Sequence, residues 1–502
     1  MRLGIALCIL LALSAAAPAA SAPLSPRVGN VETLAGQGWS SNPSVIWYDD
    51  FNGPASHLSQ QYLEYDSDGG DFVPVTTEAL GGAGKSMRAV FQAGEVEAGR
   101  LNLVFGRNPM DYRDVAVRPT EDFRDLYWRV YVKHEDGWTG DPAKMSRAIS
   151  FAASDWSEAM IAHVWSGSAT HLLIDPARGV NSSSQVVTHG YNDFANLSWL
   201  GNQSGTYPIF ATAESGRWVC VEAHAKLNTP GQSDGLFTLT IDGRLDASRT
   251  GLNFVYSWQD YGLNAVFLEN YWNSGSPVAQ SRFFDDFVVS TSPIGLARSP
   301  LNPRVTKTVF HDPDAGDAQG AWQLQIASDA AGADVVWDSG VLSGAGDSVV
   351  VSAATGAFSG SLAGRRALEP DRLYALRVRQ RDASGAWSAW SAWDTALQTG
   401  DPVAGDATGD GLVDGADLAL WQAHYDPRAI DPGNLFAEGD WNLDGRIDGG
   451  DLALWQQNYR PFAAASGGAV PLDAVGEPAT IFLFLAALAG GPRLVRTFRR
   501  GA

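Results

Sequence analysis

Residues 126–134 read LYWRVYVKH, and residues 219–227 read VCVEAHAKL. Polar and apolar side chains alternate in both, and on a strand alternate side chains face opposite ways. Trp128, Val130 and Val132 therefore point to one side, and Tyr127, Arg129, Tyr131 and Lys133 to the other. In the second stretch Val219, Val221, Ala223 and Ala225 read as core, leaving Cys220, Glu222, His224 and Lys226 opposite. The same arithmetic puts His163 and Trp165 of AMIAHVW on one face, and aligns Glu269, Tyr271 and Asn273 of AVFLENYWN. From about 30 to 296 such runs recur with few helical patterns and with hairpin signals such as Asp242-Gly243. The spacing predicts an antiparallel sandwich whose WYDDFNG (47–53) and FFDDFVVST (283–291) strands lie close together.

That echo, with RWVCVEAHAKLNTPGQSDGLFTLTIDG and FLENYWNSGSP, resembles the concanavalin-like jelly rolls. Within them the segment is most similar to secreted polysaccharide lyases acting on alginate or glucuronan. The resemblance implies a groove on one sheet, lined by Tyr127, Lys133, Trp165, Glu222, His224 and Glu269 as substrate contacts. A lyase cleaving a uronic acid polymer needs a cation or amide to neutralise the carboxylate. It also needs a base for the adjacent carbon acid and an acid for the leaving oxygen. Arg129 is the candidate neutraliser, His163 or Lys226 the base, and Tyr131 or Tyr271 the acid.

Two other readings stay open. A retaining hydrolase needs two carboxylates about 5 Å apart; no Glu-x-Asp-x-x-Glu stretch occurs, although Glu222 and Glu269 are a candidate cross-strand pair. A non-catalytic glycan-binding or surface protein would show exposed aromatics without an acid and base beside them. Catalysis predicts instead that Arg129, His163 and Tyr271 converge in one cleft.

Residues 302–398 read as a second, smaller β domain, with runs such as WQLQIAS and YALRVRQRD between Asp/Gly/Ser turns. LEPDRLY (368–374), ALRVRQRD and GAWSAWS resemble the later strands of a fibronectin type III domain, with Tyr374 at its tyrosine corner. Trp387, Trp390 and Trp393 are either a sugar-stacking ladder or edge-strand packing, and the domain reads as a spacer.

Further on, GDGLVDGADLALWQ is echoed by LDGRIDGGDLALWQ. Asp406, Thr408, Asp410, Asp414 and Asp417, and again Asp440, Asn442, Asp444, Asp448 and Asp451, occupy positions 1, 3, 5, 9 and 12 of a twelve-residue loop. Gly411 and Gly445 stand at position 6, and Leu412 and Arg446 at position 7 offer backbone carbonyls. That is calcium-loop spacing, with hard oxygen ligands converging and glycine allowing the sharp turn. Leu418, Trp421 and Tyr425, matched by Leu452, Trp455 and Tyr459, predict one short helix after each loop. Residues 401–460 hold twelve acidic side chains against three basic ones, so folding there is expected to depend on Ca²⁺. The duplicated unit, about 404–461, resembles a type I dockerin, a module that binds cohesin domains; the resemblance implies calcium binding and leaves a cohesin partner open. Positions 10 and 11, Gly415-Ala416 and Gly449-Gly450, lack the hydroxyl residues common there. A further calcium at Asp49, Asp50, Asp285 and Asp286 is weighed against ordinary turn and strand-end roles.

The ends carry addresses. MRLGIALCILLALSAAAPAASA (1–22) reads as a secretory signal peptide, so the mature chain keeps one cysteine, Cys220, and forms no internal disulfide. Gly476-Glu477-Pro478, the apolar run 479–491 and the arginines 493, 496, 499 and 500 resemble a PEP-CTERM sorting signal with one proline missing. That resemblance implies an exosortase-like partner and a secreted protein of the cell envelope or surface. The net charge of -21, with no basic cluster outside the tail, argues against nucleic acid, and an extracellular polysaccharide is the expected partner. The fold class expected is mainly β: jelly-roll sandwich (30–296), fibronectin-like sandwich (302–398), small helical calcium module (404–461) and tail (475–502).

Overall fold

The computed structural model describes residues 21–460 except 35, 36, 38, 40, 41, 110–116, 169, 410, 411, 432 and 433. The expected sorting tail, all but the end of the expected signal peptide, and the expected calcium ligand Asp410 lie outside the described residues.

Two eight-stranded sheets form the first sandwich. The front sheet runs Ser198–Trp199, His171–Arg178, Glu158–Ser168, Lys144–Phe151, Ala265–Tyr271, Glu97–Val104, Glu64–Asp66, with Gln203–Ser204 also paired to His171–Arg178. The back sheet runs Arg244–Leu252, Gly235–Ile241, Trp218–Lys226, Asp125–His134, Gln280–Ser290, Ser86–Phe91, Phe72–Val75. Alternation builds the core as expected. Trp128, Val130, Val221 and Ala223 meet Ala162, Val164 and Leu268 between the sheets, each large apolar side chain contributing roughly 1.5–3 kcal/mol. Val45–Asp49 pairs with Gln280–Ser290, bringing the two Asp-Asp-Phe stretches together.

The paired aspartates break the alternation. Phe284, Phe287 and Val289 all reach the core, and the register shifts between Asp285 and Val288. One extra residue is absorbed there as a bulge, with Asp286 at φ +51°. The bulge aims Asp286 at Arg129.

The second sandwich pairs a sheet of Val28–Val31, Arg304–Lys307 and Ser348–Val350 with a seven-stranded sheet containing Gln319–Ala327 and Leu373–Asp382. Its start corrects the expected boundary near 30. Val28 and Val31 pack with Val305 and Trp322, so the first strand among the described residues belongs to the second sandwich, and the first sandwich opens at Val45. Tyr374 is buried and its hydroxyl accepts from the Glu369 amide at 2.9 Å.

Both expected helices are present, Gly415–Ala423 and Gly449–Asn458, each started by a reciprocal capping box, Asp414 with Asp417 and Asp448 with Asp451. The Trp421 indole donates to the Asp448 carbonyl and that of Trp455 to the Asp414 carbonyl, so each repeat ties down the other. Among the described residues no helix is long and apolar enough to cross a membrane.

Candidate functional site

The predicted groove divides. Tyr127, Arg129, Tyr131 and Lys133 stand on Asp125–His134, and Glu222, His224 and Lys226 on the adjoining Trp218–Lys226, both in the back sheet. His163 and Trp165, on Glu158–Ser168, and Glu269 and Tyr271, on Ala265–Tyr271, belong to the front sheet. Since each set faces away from the shared core, Arg129, His163 and Tyr271 do not converge. Glu222 and Glu269 do not pair either, which removes the carboxylate pair proposed for hydrolysis.

The back face is occupied by the chain itself. Arg129 is fully buried, ion-paired to Asp286 at 2.6 Å and donating to the Gly295 carbonyl at 2.8 Å. Glu222 accepts from the Ile294 and Gly295 amides, and the Tyr131 hydroxyl accepts from the Ala297 amide at 2.7 Å. These three groups clamp residues 294–297 as the chain leaves for the second sandwich. Around them Tyr131, Trp218, Cys220, Phe283, Leu296 and Ala297 form an apolar cluster that closes the surface. Lys133 is ion-paired to Glu78, and His224 stacks on Tyr127 with its Nε2 against Asp125. Lys226 is exposed at the strand end. None of these side chains has the setting of a catalytic group.

The front face stays open. Cross-strand pairing sets Tyr271 beside Lys144 and Lys144 beside Trp165. A cavity of about 370 Å³ lies there, lined by Arg100, Lys144, Asn192, Glu269, Tyr271 and Asn273 among others. The Lys144 ammonium sits over the Tyr271 ring, 4.5 Å from its centroid, and among the described residues it makes no ion pair. Burial lowers the Lys144 pKa, favouring the neutral amine. Behind it Arg147 holds Glu269 through two hydrogen bonds of 2.7 and 2.5 Å. Despite its own burial, Arg147 keeps the Glu269 carboxyl below its usual range. Arg147 also donates to the Asn192 side-chain oxygen at 2.6 Å. A guanidinium only donates, so this contact fixes the amide orientation and leaves the Asn192 NH₂ without an acceptor among the described residues.

His163 is the wrong base for this face. It is fully buried, and its Nδ1–H donates to the Asp175 carbonyl at 3.0 Å. Burial depresses its pKa well below the usual value, and its Nε2 is sealed under neighbouring rings. Those rings are a platform. Trp165 and Trp199 have centroids 5.9 Å apart, Phe194 lies 5.9 Å from Trp199, and Phe194 and Trp199 are 40% and 43% exposed.

Sequence reasoning missed Lys144, Arg147, Asn192, Tyr191 and Arg282. In KMSRAISF a bulge between Lys144 and Ser146 turns both Lys144 and Arg147 outward, where strict alternation separates them. Arg282 crosses from the back sheet to donate to the Glu269 and Lys144 carbonyls and to Asn270 Oδ1, holding the strand ends under the cavity. Among the described residues no carboxylate neutralises it, and an arginine in an apolar run is not legible as such a brace.

No family model matches this chain, and no curated protein matches it. Solved structures give loose likenesses to about half of it. An endo-β-1,4-glucuronan lyase of the fungus Trichoderma reesei is 14% identical, with a TM-score of 0.32 over 49% of this chain and 96% of that one. The alginate lyase vAL-1 of a Chlorella virus is 12% identical, with a TM-score of 0.34 over 49% and 99%. The globular domain of T. cruzi calreticulin, at 12% and 0.28 over 50% and 88%, scores comparably. Likenesses this loose carry no argument about activity, which rests on the residues.

The acidic loops meet part of what calcium requires. In the second loop Asp440 is fully buried, its Oδ2 accepts from the Gly445 amide, and its Oδ1 has no donor among the described residues. Burial raises its pKa to about 6. Asp451 instead gives both oxygens to the Trp441, Asn442 and Asp448 amides. In the first loop Asp406 and Asp417 turn inward in the same way, accepting from the Gly409, Thr408 and Asp414 amides. Asn442 and Asp444 remain at the surface. At the proposed third site, Asp50, Asp285 and Asp286 line a cavity of about 220 Å³. Asp49 turns away from it, binding His57, Tyr62 and the Phe51 amide.

Proposed function

We propose that the front face binds a uronic acid polysaccharide and cleaves it by β-elimination. The observation that carries this reading is Lys144, a partly buried lysine with a lowered pKa, unpaired and stacked on Tyr271 in an open cavity. The Asn192 amide would receive the substrate carboxylate, stabilising the charge that develops when the neighbouring proton leaves. Neutral Lys144 takes the C5 proton, and the electron pair of that C–H bond becomes the C4–C5 double bond. The C4–O bond breaks, and the leaving oxygen takes its proton from the Tyr271 hydroxyl. Proton return from the Lys144 ammonium to the Tyr271 phenolate then restores both groups. Lys144 replaces His163 and Lys226 as the proposed base, Asn192 replaces Arg129 as the neutralising group, and Tyr271 keeps its role.

The test is the full-length protein incubated with alginate and with glucuronan, following the ultraviolet absorbance of the new double bond. A rise abolished by Lys144→Ala supports the lyase. Binding with no rise and no new reducing ends overturns it and leaves a non-catalytic glycan binder, a reading favoured by the exposed Trp199 and Phe194.

We propose further that the helical repeats are a calcium-binding dockerin-like module on a secreted, envelope-sorted chain, with a cohesin domain as partner. The orphaned Asp440 oxygen supports a cation in the second loop. A calcium ion between Asp50, Asp285 and Asp286 is proposed on the same ground, since Asp286 Oδ1 is buried without a donor. Chelation is expected to melt the helical repeats first, read by circular dichroism on heating.

A further inference from the structure

On Leu373–Asp382 the residues Tyr374, Leu376 and Val378 face the core of the second sandwich, so Arg377, Arg379 and Arg381 stand together on its outer face. On a strand such positions repeat every 7 Å or so, about two residues' rise. The chain then turns and runs back beside this strand as WSAWSAW (387–393). Ser388 and Ser391 point inward; their amides donate to the Gln380 and Val378 carbonyls, and their hydroxyls accept the amides of the same two residues. A three-residue period therefore brings Trp387, Trp390 and Trp393 over the arginines.

The result is one interleaved stack. Arg377 lies 4.4 Å from Trp393 and 4.6 Å from Trp390. Arg379 lies 4.5 Å from Trp390 and 4.4 Å from Trp387, and Arg381 lies 5.4 Å from Trp387. Gly332 makes room at one end, since a Cβ there would fall 2.1 Å from the Trp393 indole. Both faces of Trp390 are covered by guanidinium, so the series is neither a free sugar-stacking ladder nor plain edge packing.

The cations are fixed on one edge and open on another. Gln325 Oε1 accepts from Arg377 Nε and Nη2, and Gln323 Oε1 from Arg379 Nε and Nη2. Both glutamines are in turn held by Asp338. Among the described residues the Nη1 groups of Arg377 and Arg379 have no acceptor, and no carboxylate comes within ion-pair distance of the three arginines. In a chain of net charge -21 an ordered row of cations with no ion pair among the described residues is conspicuous. Its geometry is already set before a ligand arrives, which cuts the ordering cost of binding.

We propose that this row is an auxiliary binding surface for an acidic polysaccharide, taking successive carboxylates on its guanidinium edges. The choice of a uronic acid polymer over other polyanions rests on the reading of the front face, whose unpaired Lys144 and neighbouring aromatic platform call for the same chemistry. Elsewhere the acidic surface repels such a polymer, so the row also sets where it lands.

The experiment measures binding of the full-length protein to polyglucuronate at low salt, with carboxyl-reduced polymer and polyaspartate as comparisons, and cleavage of a short uronate oligosaccharide alongside. In R377Q/R379Q, loss of two charge-assisted contacts is expected to weaken polymer binding about tenfold, with oligosaccharide cleavage unchanged and R377K/R379K intermediate. Ala389→Glu, an exposed position in the same segment, adds an opposing charge without touching the stack and is expected to weaken binding as well. Wild-type affinity in both R377Q/R379Q and Ala389→Glu overturns the proposal, and so does equal binding of carboxyl-reduced polymer or of polyaspartate. Polymer binding that depends on the arginines without any cleavage by the wild type sinks the lyase reading and leaves this surface standing.

Discussion

The two outer faces of the first sandwich are built from similar strands and have opposite fates. On the back, LYWRVYVKH presents Arg129 and Tyr131, and both are sealed under residues 294–297. On the front, KMSRAISF presents Lys144 and Arg147, and the cavity above them is left open. Charge content does not separate the faces. What separates them is whether each charged group already has its partner: Arg129 has Asp286 within 2.6 Å, and Lys144 lies over an aromatic ring with no carboxylate within ion-pair distance among the described residues. Between these two groups, the charge matched by a partner under a sealed surface reads as architecture, and the unmatched amine facing an open cavity reads as chemistry.

The largest expected effect tests the front face. Lys144→Ala should lower double-bond formation by about 10²–10⁴-fold, the usual contribution of a positioned base, with the melting temperature little changed. Full activity in that variant would erase the distinction between the faces. Arg129→Met should do the reverse. It strands Asp286 in the interior and is expected to cost about 3–5 kcal/mol of stability, measured by urea unfolding, while the folded fraction turns over normally. Loss of turnover without loss of stability would return the site to the back face.

The strand pattern made the sandwich legible, because alternation in 126–134 and 219–227 depends only on side chains alternating across a sheet. The same rule could not say which sheet each strand joins, so His163 and Arg129 were grouped although they lie on opposite sides. It also fails at bulges. Lys144 and Arg147 share a face only because the register slips between Lys144 and Ser146, and Asp286 meets Arg129 only because an extra residue is absorbed at the aspartate pair. The acidic repeats were legible for a different reason: their helices and capping boxes are fixed by residues close in sequence.

A pH-dependent effect should come from under the front face. Glu158 is fully buried, its Oε2 accepts from the Asn192 backbone N–H, and burial raises its pKa from 4.5 to about 8. The folded state therefore favours the neutral carboxyl. This contribution is complete below the unfolded value near 4.5 and is lost as pH rises through about 8. Stability should fall across that window by at most about 1.4 kcal/mol per pH unit. Glu158→Gln, which keeps the neutral shape, should remove the slope; an unchanged slope in urea titrations from pH 5 to 9 would place its origin elsewhere.

The smallest expected effect concerns the aromatic platform, and it separates binding from chemistry on the same face. Trp199 is 43% exposed and packs on Trp165 and Phe194 rather than on the cavity floor. Its ring can add contact area for a sugar without approaching Lys144. Trp199→Ala should therefore weaken polymer binding by about 1 kcal/mol, at the lower end of what an aromatic anchor supplies. KM should rise while kcat holds, the mark of an interaction made equally in ground and transition states. A fall in kcat at unchanged KM would mean that Trp199 touches the reacting sugar. The platform and the lysine would then form one site, and the front face would be smaller and more committed to catalysis than its open geometry suggests.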